Sequence, residues 1–170
     1  MKYLLALICL FIADTGIFAQ SCPGTHPGKT NRGTLIEHAL FISDNNRALS
    51  FSKEIDTKSK KVAPRYSVAF NSMPKQLLPD SLVNTEGDLE LELTNGRKLV
   101  LPGAIATINP FASNTPLGFS LEIRAEQLRA IDTTIIKVTA FGRLNATFSG
   151  AEQKRMWELI RCFKSKDPLR

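Results

Sequence analysis

The stretch Asp88-Leu89-Glu90-Leu91-Glu92-Leu93-Thr94-Asn95-Gly96-Arg97-Lys98-Leu99-Val100-Leu101 decides how this chain folds. Leu89, Leu91 and Leu93 alternate with Glu90 and Glu92, so the leucines line one face of a β-strand and the acids the other. Asn95-Gly96 signals a tight turn into a returning strand. A two-residue turn would set Glu92 opposite Leu99 and Glu90 opposite Leu101, mixing charge with apolar side chains on one face. A three-residue loop, Thr94–Gly96, with Gly96 left-handed in a bulge, instead pairs Leu91 with Leu99, Leu89 with Leu101 and Glu92 with Lys98. A one-residue slip would exchange the two faces, so the pattern selects this register.

The same period of two recurs on both sides of the hairpin. Thr34–Ile42 fits either a capped helix or a strand, and the strand is preferred; Asp44-Asn45-Asn46 then turns into a half-buried strand over Arg47–Ile55, with Leu49, Phe51 and Lys53 on one face. Tyr66, Val68 and Phe70 point inward from a strand over Arg65–Phe70, after an exposed charged loop, Thr57–Pro64. Pro74 and Pro79 keep Ser72–Asp80 irregular. Beyond the hairpin, Pro102-Gly103 is expected to turn the chain into a separate short strand, Ala104–Ile108, followed by the loop Asn109–Gly118. Phe119, Leu121 and Ile123 mark another strand, Ala125–Ile131 a helical turn, and Thr134–Phe141 and Leu144–Phe148 two strands joined at Gly142. Ser149-Gly150-Ala151-Glu152 is a capping box, and Met156, Leu159, Ile160 and Phe163 form the apolar face of a helix over 150–164.

Residues 1–19 read as a secretory signal peptide: Lys2, an apolar run Tyr3–Ala13 too short to span a bilayer, and the small residue Ala19 before the cut. An extended arm, residues 20–33, then leads into a single antiparallel β domain, residues 34–170, and the mature chain of roughly 150 residues is long enough for one core. No later stretch is apolar enough to be a transmembrane segment. Cys9 leaves with the signal, so Cys22 and Cys162 remain; in an exported chain they most simply form one disulfide, closing a loop of about 140 residues. Lipidation of Cys22 is the alternative, although Ala19 stands where a bacterial lipoprotein normally carries Leu.

The fold class expected is therefore mainly β (α+β): an antiparallel β-sandwich or curved sheet of about seven to nine strands with a C-terminal helix packed against it. Gly24-Thr25-His26-Pro27-Gly28-Lys29-Thr30 resembles a phosphate-binding loop, but it has three residues between Gly24 and Gly28-Lys29 where that loop needs four. His26 and His38 show no metal-ligand spacing, no nucleophile elbow exists, and Glu90 and Glu92 are expected to face solvent opposite Lys98. No catalytic residue, metal site or cofactor is assigned. Phe111, in the long loop, and Trp157, on the flank of the helix, are the candidate ligand contacts. Asn145-Ala146-Thr147 fits a glycosylation site but lies inside a strand. The net charge of +6 suits an anionic envelope glycan, or another envelope protein, as partner; no basic stripe interleaved with aromatics points to nucleic acid.

The strand Phe119–Arg124, the turn Ala125–Leu128, the strand Ile135–Val138 and a last helix ending Arg161-Cys162-Phe163 resemble those of uncharacterised small secreted bacterial proteins. In that group a cysteine near the mature start recurs with one in the final helix, so the resemblance implies pairing of Cys22 with Cys162 and export to the periplasm or beyond. It implies no activity. The function expected is a non-enzymatic binding or structural module of the cell envelope, with a small exported hydrolase or a lipocalin-like carrier of an apolar ligand as alternatives.

Overall fold

A computed structural model of the chain describes residues 21–29, 34–44, 47–56, 63–72, 85–108 and 117–165. Residues 1–19, read above as a signal peptide, Phe111 and most of the two proline- and charge-rich loops lie outside these residues. In chain order the elements are β1 (His26–Lys29), β2 (Leu35–Ile42), β3 (Ala48–Ile55), β4 (Arg65–Ser72), β5 (Glu86–Leu93), β6 (Lys98–Ile108), β7 (Leu117–Ile123), α1 (Ala125–Ala130), β8 (Ile135–Ala140), β9 (Leu144–Thr147) and α2 (Gly150–Ser165). The strands form one nine-stranded sheet in the order β1-β2-β3-β4-β7-β6-β5-β8-β9. Every pairing is antiparallel.

The β5–β6 hairpin has the register its side chains demand: Leu91 pairs with Leu99, Leu89 with Leu101 and Glu92 with Lys98. Gly96 is left-handed at φ +79°, and its N–H donates to the Leu93 carbonyl at 2.9 Å. The turn docks on the segment before β8, where the Thr94 N–H donates to the Thr134 carbonyl at 2.9 Å and Arg97 pairs with Asp132.

One expectation fails at Pro102-Gly103. The strand does not end there; β6 runs through to Ile108, with a register shift opposite, between Gly87 and Leu89. Pairing with β7 begins only at Ile105, so Pro102 sits where the ladder is already interrupted and its missing N–H removes no regular sheet bond. The pair bends one long strand instead of separating two short ones.

The bend belongs to a larger curvature. The turn after β2 reaches β9, at the opposite end of the strand order: the Asp44 N–H donates to the Thr147 carbonyl at 2.9 Å, and the Arg47 guanidinium donates to the Asn145 carbonyl. Of the two architectures expected, the molecule is the curved sheet, curled until the turn after β2 meets the edge strand β9. The concave side holds Phe41, Phe51, Tyr66, Val68, Phe70, Leu89, Leu91, Phe119 and Val138, all buried. Into it packs α2, touching β2 on one side and β8 on the other. Met156, Leu159, Ile160 and Phe163 are each fully buried, as their helical spacing requires.

The start of α2 uses half of the expected box. The Glu152 N–H donates to the Ser149 hydroxyl at 3.3 Å, while the Glu152 carboxylate accepts from Arg155 at 2.6 Å. Gln153 reaches back past the cap instead, its amide donating to the Phe148 carbonyl at 2.7 Å.

Candidate functional site

The arm is fastened to the end of α2. Cys22 and Cys162 are joined by a disulfide with a Cα–Cα separation of 5.7 Å. The Thr25 N–H and hydroxyl donate to the Cys22 carbonyl at 3.1 and 2.7 Å, turning the chain into β1. Part of the segment read as an arm is thus the edge strand of the sheet. A turn and a strand stand where a phosphate-binding loop would need a helix start, so Gly24–Lys29 has no such role.

Beneath the disulfide lies a row of polar side chains on the inner face. Glu37 of β2 pairs with Lys53 of β3, which pairs with Tyr66 of β4. Their exposures are 9%, 3% and 2%. The Cys22 N–H points at the Glu37 carboxylate at 3.5 Å. The Lys53 ammonium lies 6.0 Å from the centre of the Phe163 ring, and the Tyr66 ring 6.1 Å from it. The register sets a buried acid and a buried base side by side on the inner face. This row locks β2, β3 and β4 to α2. The strand period places Glu37 and Lys53 inward, but their alignment depends on a cross-strand register that neither local sequence encodes.

Outside the disulfide, a groove of about 530 Å³ runs along α2, lined by Pro23, Glu158, Arg161, Cys162, Lys164 and Ser165. A smaller hollow of about 70 Å³ adjoins it, where Arg155 and Glu158 meet Pro23, Gly24, Ala39 and Phe41. The Arg155 guanidinium covers the Phe41 ring at 5.5 Å. The candidate contact Trp157 is half-buried against the core beside this groove, with the Lys164 ammonium 5.3 Å from its ring centre. Lys164 also donates to the Ile131 carbonyl, tying α2 to the end of α1.

The two histidines, unconnected in the sequence, come together. His26 of β1 and His38 of β2 are direct cross-strand partners, with ring centres 5.7 Å apart and ring planes inclined by 48°. Both are exposed.

Glu90 and Glu92 line neither the groove along α2 nor the smaller hollow beside it. Lys98 Nζ lies 2.8 Å from Glu90, and the hydrogen bond and charge of Glu90, with a smaller contribution from Glu92, raise the Lys98 ammonium above its ordinary value of 10.5. Asn145 lies in β9, its side chain accepting from the Thr139 hydroxyl at 2.7 Å. Among the described residues there is no group of three or more His, Cys, Asp or Glu side chains placed to hold a metal ion, and no helix is long and apolar enough to cross a membrane.

No family model, curated protein or solved structure matches this chain. The groove between the arm and α2 brings Arg161, Lys164 and Glu158 to one concave surface.

Proposed function

We propose that this chain is an exported, non-enzymatic binding module of the bacterial cell envelope, of the small secreted kind its sequence resembles, and that the groove beside Cys162 receives an acidic group of an envelope glycan. The observation that carries the reading is the groove itself: Arg161 and Lys164 line it together, one helical turn apart, beside Glu158 and Pro23. Two cations on one wall suit a carboxylate or sulfate, and Glu158 is placed to accept from sugar hydroxyls. The disulfide joins the arm to the helix, so the two walls of the groove are preorganised, which lowers the ordering cost of binding. The net charge of +6 favours encounter with polyanions. The concave side of the sheet, where a lipocalin-like carrier would hold its ligand, is filled by α2, so contacts fall to the outside of the molecule.

Calorimetric titration of the mature, disulfide-bonded protein tests the proposal, with heparin-derived hexasaccharide as acidic probe and maltohexaose as neutral control. Binding of the acidic probe that weakens with added salt, and falls about tenfold in Arg161→Gln, is expected. Equal binding of the neutral sugar, or an unaltered affinity in Arg161→Gln, would overturn it.

A further inference from the structure

We infer that His26 and His38 form a two-histidine site for a borderline divalent transition-metal ion, copper(II) above zinc(II), on the outer face of the sheet. The chain has two histidines, and the fold sets both in one cross-strand pair although they stand twelve residues apart in sequence. Directly opposed residues on antiparallel strands share a face and carry their Cβ atoms about 5 Å apart. Two imidazoles bound side by side to one ion, with metal–nitrogen bonds of about 2.0–2.1 Å, have ring centres about 4.5 Å apart at a tetragonal copper(II) and about 5 Å apart at a tetrahedral zinc(II). The observed 5.7 Å is within a small side-chain adjustment of these spacings.

The surroundings leave the site accessible. On the same face the next pair along is Gly28 and Ile36, and a Cβ built on Gly28 would meet no atom within 4 Å. The neighbour of His38 on β3 is Ser52. Glu54, two residues further along β3, is paired with Arg65 at 3.0 Å and is not aimed at the histidines. The protein thus supplies two imidazole nitrogen donors and leaves the remaining positions to water or to a donor from outside. Imidazole ligands suit copper and zinc, and a site with no imposed geometry follows the general order of affinity, in which copper(II) exceeds zinc(II).

β1 has four residues, including Pro27 and Gly28, and its start is held by the Cys22–Cys162 disulfide and the turn at Thr25. The disulfide therefore keeps His26 in register with His38. Loss of an outer-shell partner alone commonly lowers metal affinity about 10–100-fold. Removal of either imidazole should lower it at least ~10-fold, and opening of the disulfide should act in the same direction.

The test is titration of the mature, oxidised protein with copper(II) sulfate and zinc(II) sulfate by competition calorimetry, together with electron paramagnetic resonance of the copper form. One equivalent of copper(II), hyperfine structure from two imidazole nitrogens, weaker zinc binding and at least ~10-fold loss in both His26→Ala and His38→Ala are expected. Both substitutions are at exposed positions, and circular dichroism checks that the sheet is retained. Absence of a saturable equivalent, or an affinity unchanged in either histidine variant, overturns the site. An affinity unchanged in Cys22→Ser/Cys162→Ser overturns its dependence on the disulfide.

Discussion

Gly96 shows how much a single residue decides. Its φ of +79° is a conformation that side chains with a Cβ rarely adopt, and a Cβ built there would meet no heavy atom within 4 Å. The penalty for substitution is therefore backbone strain without steric overlap. Gly96→Val should destabilise the fold by about 1–3 kcal/mol, and Gly96→Asn by less; an unchanged melting temperature in the valine variant would contradict the turn. This residue was legible because turn chemistry is local and the flanking leucines admit one register. Gly87 was not. A Cβ on it would lie 2.5 Å from the Phe141 ring, which in turn packs 4.5 Å from Phe119. The need for glycine there comes from a side chain 54 positions away, and no local pattern announces it. The histidines are illegible for the same reason: their partnership is a property of the β1–β2 register.

At the scale of elements, α2 was readable and β1 was not. The spacing of Met156, Leu159, Ile160 and Phe163 is a property of the helix itself, and all four side chains are buried as that spacing requires. β1 carries Pro27 and Gly28, poor strand formers, and becomes a strand because Cys22 and Thr25 deliver it to β2. Pro102-Gly103 is the converse case, a strong break signal overridden because the bulge had already interrupted the ladder. Leu159 faces the concave sheet with no exposed surface, so Leu159→Ala should destabilise the protein by about 2–5 kcal/mol, measured by urea unfolding. A loss under ~1 kcal/mol would be incompatible with a helix seated in the curve of the sheet.

For the molecule as a whole, the disulfide spans 140 residues and joins the first described segment to the last. Chain-entropy reasoning gives such a bridge about 5 kcal/mol, so Cys22→Ser/Cys162→Ser should unfold at markedly lower urea concentration than the oxidised protein. Coincident midpoints would show that the cross-link does not restrain the unfolded chain. The single sheet also leaves two rims. One is β1, four residues long and carrying Pro27 and Lys29. The other is β9, also four residues, whose Asn145 and Thr147 carbonyls already accept from Arg47 and Asp44. A stray strand from another chain would find a short template at either rim, one blunted by proline and charge and the other with its acceptors engaged. The curl that brings the β2–β3 turn onto β9 thereby guards a broad, open sheet against edge-to-edge polymerisation.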